Sequence, residues 1–211
     1  GIDLDAARAR GVAVAVAPRH MHRVEAWKAG LRAAGVPFRL RSTKGGRGNS
    51  GNASMPSTVP PVYLWDTFGE LPSLYAIADA AYVGGSLVPL GGQNFLEAAA
   101  QGVIPLVGPH IDNFLWAGNE LFVEGLAVML SGASELGPAL EQCLQARLGA
   151  LRRASNANDS ASNGLDEPDW QAARANETAK VRQRFAAWLR PRLGGSLQAA
   201  EAVAKVLAGR Q

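Results

Sequence analysis

Six short apolar runs, each closed by glycine, proline or polar residues, constrain the fold of this chain more than any other feature of its sequence. Each has the length of a buried β-strand. They cover residues 12–17, 36–40, 61–65, 80–83, 104–107 and 126–130. Helical patterns lie between them, and strands that alternate with helices form a parallel sheet with right-handed crossovers. The sequence therefore predicts a Rossmann-like, doubly wound α/β domain of about six parallel strands.

The remaining segments complete a single predicted domain over residues 1–211. Leucines recur every three or four residues from Leu136 to Leu151, which predicts a helical C-terminal tail. Residues 43–58 and 155–169 are rich in glycine, serine and asparagine and have no periodicity, so we expect flexible loops there. The chain opens with Gly1-Ile2-Asp3 rather than methionine, which favours a piece of a longer protein.

Composition excludes several functional classes. The net charge is only +3 over 211 residues, and no run of Lys or Arg exceeds two, which argues against a dedicated nucleic-acid binder. A single cysteine, Cys143, excludes a disulfide framework and a cysteine-rich zinc site. His20, His22 and His110 are the only histidines, too few to support a metal site. No apolar run reaches the roughly 18–20 residues that a membrane-spanning helix needs.

Ligands of open α/β sheets bind beyond the carboxyl ends of the strands, so the loops after the strands hold the candidate site residues. After the first strand, the guanidinium of Arg19 can grip a phosphate; the alternative is a surface arginine that caps a loop. After the third, Thr67 and Glu70 fit a helix-capping box, and Gly69 leaves room for a base or a phosphate. His110 follows the fifth strand and either contacts a sugar or acid group or is structural.

The richest loop, residues 84–97, reads GGSLVPLGGQNFLE after the fourth strand. Its two Gly-Gly pairs can present successive amides to an anion at a helix start. Asn94 and Glu97 share one helical face, where the carboxylate can accept both hydroxyls of a ribose or can complete a capping box; these alternatives stay open. The loop lacks the patterns of a P-loop and of a dinucleotide fold, which disfavours ATP hydrolysis and NAD chemistry.

Three segments resemble the Kdo transferases of lipopolysaccharide biosynthesis. They are APRH at 17–20, DTFGELPSLYAIADAAYVGGSLVPLGGQNFLEAAAQG at 66–102 and GPHIDNF at 108–114. Enzymes of this family transfer 3-deoxy-D-manno-octulosonic acid (Kdo) from CMP-Kdo to a lipid A precursor, lipid IVA. The resemblance implies the C-terminal, donor-binding domain of a two-domain GT-B glycosyltransferase. It also implies an inverting, metal-independent reaction with no cofactor beside the donor substrate.

The resemblance also implies a set of site residues. Those expected to bind the CMP part of the donor are Pro18, Arg19, Phe68, Gly69, Glu70, Asn94, Phe95, Leu96 and Glu97. Further contacts to the phosphate or to Kdo are expected from His20, Gly85, Ser86, Gly91, Gly92, Gln93 and His110. Gln93 stands where the family often has histidine, and Phe95 and Ala98 where it often has proline, which weakens any catalytic role for position 93.

The family resemblance further implies what this chain lacks and where it works. The general base and the acceptor site are expected in an absent N-terminal domain, so the chain alone is expected to be inactive and soluble. The expected partners of the full-length enzyme are CMP-Kdo, a lipid A precursor and the cytoplasmic face of the bacterial inner membrane. Two alternatives remain: a UDP-sugar-dependent GT-B transferase or epimerase domain, and a non-catalytic nucleotide-binding module.

Overall fold

Hydrogen bonding distributes the six strands over two three-stranded parallel sheets. The computed structural model describes residues 11–43, 62–159 and 170–194, and the chain divides into two compact units, Gly1–Leu74 and Tyr75–Gln211. The strands are β1 Val14–Val16, β2 Phe38–Leu40, β3 Val62–Leu64, β4 Ala81–Tyr82, β5 Pro105–Val107 and β6 Val128–Met129. The α-helices of the described residues are α1 Val24–Ala33, α2 Leu71–Ile77, α3 Leu96–Ala100, α4 Glu120–Val123, α5 Leu136–Asp159 and α6 Trp170–Leu189.

The first unit is built around β3, which pairs with β1 on one edge and with β2 on the other. Val62 and Leu64 of β3 are fully buried and share an apolar cluster with Val24 and Leu31 of α1. Burial of side chains of this size stabilises the folded state by about 1.5–3 kcal/mol each. Because all three strands are parallel, the loops that follow them leave the sheet at the same edge.

The second unit is built around β5, which pairs with β4 and with β6. Leu106 and Val107 of β5 are buried, and Phe95 at the start of α3 is fully buried between two aromatic rings. The ring centroid of Phe95 lies 5.2 Å from that of Phe114 and 6.2 Å from that of Phe122. This aromatic packing fixes where α3 begins and therefore where the loop before it ends.

A glycine two residues after the end of α3 completes the helix terminus and allows the helical tail to approach closely. The amide of Gly102 donates to Ala99 O and the amide of Val103 donates to Ala98 O, which is the pattern of a Schellman motif. Gly102 has a φ of +86°, and a Cβ there would come within 2.6 Å of the Thr178 carbonyl oxygen in α6. Only glycine combines this backbone conformation with so close an approach of α6.

A half-buried polar cluster connects the two tail helices with the segment after α2. The Arg174 guanidinium lies 2.8 Å from Asp79, and Arg147 lies 3.8 Å from the same carboxylate. Arg147 also donates to the hydroxyl of Thr178 over 2.5 Å, so α5 and α6 share it. Burial lowers the pKa of Arg147, although the neighbouring Asp79 carboxylate opposes that shift. Charged as well as apolar contacts therefore hold the predicted helical tail against the rest of the second unit.

The parallel α/β class and the places of the six strands agree with the sequence prediction. The strands form two three-stranded sheets, ordered β1-β3-β2 and β4-β5-β6, rather than one sheet of six. Helix α5 continues to Asp159, so the first five residues of the predicted loop 155–169 are helical. Residues 155–159 contain no glycine or proline that would end the helix earlier.

Residues 44–58 of the first predicted loop and residues 160–169 of the second lie outside the described residues. The structure divides the chain into two compact units, and the single domain over residues 1–211 stays a prediction.

Candidate functional site

The loops after β1 and β3 carry the candidate residues of the first unit. Val14 lies opposite Val62, and Val16 lies opposite Leu64, so both strands end at the same edge of their sheet. Beyond that edge, Arg19 and His20 are exposed while Pro18 is buried. The His20 ring stacks on that of His22, with centroids 5.3 Å apart. The guanidinium of Arg19 is therefore open to a ligand, whereas Pro18 shapes the turn.

The loop between β3 and α2 presents an aromatic side chain and an unobstructed backbone. Phe68 is 89% exposed, which is unusual for so large an apolar side chain in the middle of a chain. Gly69 has a φ of +81° and is exposed, and no atom lies within 4 Å of the position that a Cβ would occupy. The backbone at Gly69 is therefore open on the side where a Cβ would lie.

Glu70 is engaged within the first unit. Its Oε2 lies 3.0 Å from Nε of Arg41 and accepts a hydrogen bond of 3.0 Å from the hydroxyl of Thr67. Its Oε1 accepts a longer hydrogen bond of 3.4 Å from Nη2 of Arg41. Glu70 directly precedes α2, and its carbonyl accepts from the amide of Leu74. The capping-box interpretation of Thr67 and Glu70 is wrong, because the helix begins at residue 71 and the two side chains bond to each other.

In the second unit, the glycine-rich loop after β4 is closed by its own hydrogen bonds. The amide of Gly92 donates to Gly85 O over 2.9 Å, and the amide of Gln93 donates to Gly84 O over 3.1 Å. These two amides are therefore engaged inside the loop, contrary to the expectation that they present N–H groups to an anion. Gln93 itself lies against Gly85, where a Cβ would come within 3.2 Å of the Gln93 Cγ.

Ser86 is wholly buried, and its hydroxyl joins the loops that follow β4 and β5. It donates to Val83 O over 3.1 Å and accepts from the amide of Gly108 over 2.8 Å. The amide of His110 in turn donates to the carbonyl of Ser86 over 3.0 Å. The Ser86 side chain thus has a structural role here, while the half-buried His110 side chain remains at the edge of the sheet.

Asn113 fixes the second glycine pair, a role that sequence analysis missed. Its amide donates to Gly91 O over 3.1 Å, and its side-chain Nδ2 donates to Gly92 O over 3.4 Å. A Cβ on Gly91 would lie 2.5 Å from the same side chain, and Gly91 has a φ of +78°. The only signal in the sequence was the position of Asn113 inside the GPHIDNF segment.

The start of α3 carries an exposed amide beside a half-buried carboxylate. Nδ2 of Asn94 donates to Oε1 of Glu97 over 2.8 Å. The residue that caps α3 is Phe95, which makes no side-chain capping hydrogen bond, so the capping-box interpretation of Asn94 and Glu97 is wrong. Phe95 is fully buried, so only its backbone could contact a ligand. Leu96 is half-buried.

The phenol of Tyr75 interacts electrostatically with the Glu97 carboxylate. Burial raises the pKa of Tyr75 to about 12, and the negative charge of Glu97 adds to that shift. The phenol therefore stays protonated at neutral pH and carries no charge that competes with an anionic ligand.

The described part of the chain offers neither a metal cluster nor a membrane-spanning helix. Within residues 11–43, 62–159 and 170–194, no three His, Cys, Asp or Glu side chains lie close enough together to hold a metal ion. None of the helices in the same ranges is long and apolar enough to cross a membrane.

The chain is similar to several curated proteins. It is 36% identical over 172 residues to the 3-deoxy-D-manno-octulosonic acid transferase of Bordetella pertussis, covering 82% of this chain and 36% of that protein. It is 34% identical over 135 residues to the transferase of the same name from Haemophilus influenzae, covering 62% of this chain and 29% of that protein. This chain thus spans about a third of the length of these relatives. No protein-family model matches it.

A solved structure gives the same result for the fold. The C-terminal CMP-Kdo binding domain of WaaA from Acinetobacter baumannii superposes with a TM-score of 0.56 and 26% sequence identity. The match covers 82% of this chain and 75% of that chain. Together with the curated relatives, it confirms the resemblance to the Kdo transferases and to their C-terminal donor-binding domain.

Substitution of Ser86 by alanine tests whether its hydroxyl supports the two loops. Ser86→Ala leaves the buried amide of Gly108 without its acceptor, so we expect a loss of about 1–3 kcal/mol in the free energy of unfolding. Urea unfolding measures this loss. Ser134→Ala, at an exposed serine of the same unit, is the control and should change stability by less than about 0.5 kcal/mol. Equal stability of both variants would contradict the structural role.

Proposed function

We propose that this chain binds CMP-Kdo and supplies donor binding to a Kdo transferase. The observation that carries the proposal is the alignment of 82% of the chain both with a Kdo transferase and with a CMP-Kdo binding domain. The side chains at the strand ends support it, because they are of the kinds that bind nucleotides. The first unit has an exposed guanidinium and an exposed aromatic ring beside an open backbone, and the second unit has a half-buried carboxylate.

Arg19, Phe68 and Gly69 are the proposed contacts to the phosphate and to the base. Arg19 is exposed at the end of β1, and a guanidinium forms two parallel hydrogen bonds with phosphate oxygens. Phe68 and Gly69 would contact the cytosine ring, since one offers an exposed aromatic face and the other leaves the backbone open. The Glu70 side chain is engaged by Arg41 and Thr67, so its contribution would come from the backbone.

Glu97 is the proposed ribose contact. Oε1 of Glu97 accepts from Asn94, which orients the carboxylate and leaves Oε2 to accept hydrogen bonds from the ribose hydroxyls. The amides of Gly92 and Gln93 are engaged within the glycine-rich loop. This loop would therefore shape the space that a ligand occupies next to α3 rather than bind the phosphate. His20, Gln93 and His110 stay proposed contacts to the phosphate or to Kdo.

The complete reaction belongs to a longer protein in this proposal. A carboxylate outside this chain would take the proton from a hydroxyl of the lipid A precursor. The hydroxyl oxygen would form a bond with the anomeric carbon of Kdo, while the bond from that carbon to the CMP phosphate breaks. Arg19 would stabilise the charge that grows on the departing CMP, with inversion at the anomeric carbon and without a metal ion. The acceptor and a place at the cytoplasmic face of the inner membrane are part of the same proposal.

Substitution of Arg19 by lysine tests the phosphate contact. Lysine keeps the charge but loses the planar fork, so Arg19→Lys should weaken CMP binding by about 1–3 kcal/mol. Cytidine, which has no phosphate, should bind the variant and the parent equally. Calorimetric titration of both ligands measures the difference, with Arg23→Lys in the exposed turn Met21–Arg23 as the control. Equal weakening of both ligands would mean that Arg19 shapes the site without binding the phosphate.

Substitution of Glu97 by glutamine tests the ribose contact. Glutamine still accepts the hydrogen bond from Asn94, so the local structure is retained while the charge is lost. We expect CMP and cytidine to lose affinity alike, by about 1.5–3 kcal/mol, because both carry the ribose. Glu124→Gln, at an exposed glutamate of the same unit, should leave both affinities unchanged. Unchanged affinity of Glu97→Gln would show that Glu97 serves only to hold Asn94.

A further inference from the structure

Arg41, the first residue after β2, contacts the end of β3 and the start of α2 at once. Its guanidinium carbon lies 5.4 Å from the centroid of the Trp65 ring, in the geometry of a cation–π contact. Its Nε and Nη2 atoms lie 3.0 Å and 3.4 Å from the two carboxylate oxygens of Glu70. One side chain therefore joins both ends of the segment that contains Phe68 and Gly69.

Both oxygens of the Glu70 carboxylate take part in this arrangement. Oε1 accepts a hydrogen bond from Nη2 of Arg41, and Oε2 lies 3.0 Å from Nε of Arg41 and accepts a hydrogen bond from the hydroxyl of Thr67. These contacts close the turn from residue 67 to residue 70. Phe68 and Gly69 lie within that turn and are the two residues of it that are exposed.

A second pair of hydrogen bonds joins the same two strand ends. The amide and the hydroxyl of Ser42 donate to the carboxylate of Asp66 over 2.8 Å and 2.5 Å. Desolvation raises the pKa of Asp66, but these hydrogen bonds outweigh it and leave the pKa below its ordinary value. Asp66 is thus ionised at neutral pH and keeps both bonds. The end of β2 is joined to the loop after β3 at two consecutive residues.

The indole of Trp65 completes the case for Arg41. The Nε1 atom of Trp65 is buried and finds no hydrogen-bond partner among the described residues. With that polar atom unpartnered, packing and the overlying guanidinium fix the orientation of the ring. Trp65 is only three residues before Phe68, so this contact bears directly on where the exposed loop starts.

We propose that Arg41 is a positioning residue for nucleotide binding, acting through Glu70 to fix Phe68 and Gly69 in the conformation that accepts the nucleoside. This inference rests on the proposed function of the chain as a CMP-Kdo binder. In this proposal Arg41 does not itself contact the nucleotide. It affects only the binding of the nucleoside part of the ligand, so the affinities for CMP and for cytidine depend on Arg41 to the same extent.

The proposal concerns local order rather than global stability. The side chains of Arg41 and Glu70 are 46% and 37% exposed, and ion pairs of such exposure contribute little to the free energy of unfolding. Without the contacts of Arg41 to Glu70, the loop opens locally at a low cost in free energy, and hydrogen exchange detects that opening. Loss of Arg41 therefore affects the loop while the cooperative unfolding transition stays nearly unchanged.

The experiment compares Arg41→Ala with Arg39→Ala, a substitution of an exposed arginine in β2. Hydrogen exchange of residues 65–71 without ligand should be at least fivefold faster in Arg41→Ala and unchanged in Arg39→Ala. Titrations should give Arg41→Ala about tenfold weaker affinity for CMP and for cytidine, because the loop must be ordered on binding. Arg41→Lys should recover part of the loss, since it keeps the charge and one hydrogen bond.

A double-substitution cycle tests whether Arg41 acts through Glu70. In the Glu70→Ala background, Arg41→Ala should cause no more than a twofold further loss of affinity. A full tenfold loss there would mean that Arg41 contacts the ligand itself and would overturn the proposal. Unchanged exchange of residues 65–71 in Arg41→Ala would also overturn it. If the parent chain binds neither CMP nor cytidine, the proposed function fails. The inference then fails with it, even if hydrogen exchange of residues 65–71 is faster in Arg41→Ala.

Discussion

The parallel pairing of short strands around β3 and β5 is the constraint on which the rest of this structure depends. The carboxyl ends of parallel neighbouring strands lie at the same end of their sheet. All loops that follow the strands of one sheet therefore begin at that end. In the first unit, this brings Arg19 to the same edge as the loop with Phe68. In the second unit, it brings the glycine-rich loop to the same edge as His110. The strands have only two or three residues, so the loops rather than the ladders contain most of the polar contacts.

Those loops are ordered mainly by bonds among themselves. The Ser86 hydroxyl joins the loops after β4 and β5, and Asn113 secures the second glycine pair. In the first unit, Arg41 and Ser42 connect the end of β2 with the loop after β3. These polar contacts, buried at Ser86 and exposed at Arg41 and Ser42, position the exposed groups before any ligand binds. Such preorganisation lowers the entropy that binding must overcome.

The sequence was sufficient for the strands and for the places of the loops, because apolar runs closed by turn residues are local signals. It was insufficient for the capping contacts at the helix starts. The capping-box interpretation failed for Thr67 with Glu70, because Glu70 lies before α2, and it failed as the open alternative for Asn94 with Glu97, because Asn94 lies before the cap of α3. The role of Arg41 could not be predicted, since 29 residues separate it from Glu70 and only the pairing of β2 with β3 brings them together.

The central claim is that this chain recognises a cytidine nucleotide. The most direct test is calorimetric titration of the unmodified 211-residue chain with CMP and, separately, with UMP and UDP. The account predicts that CMP binds at least tenfold more tightly than either uridine nucleotide. Tighter binding of UDP would contradict it and favour a UDP-sugar-dependent enzyme, and no measurable binding of CMP at millimolar concentration would contradict it as well.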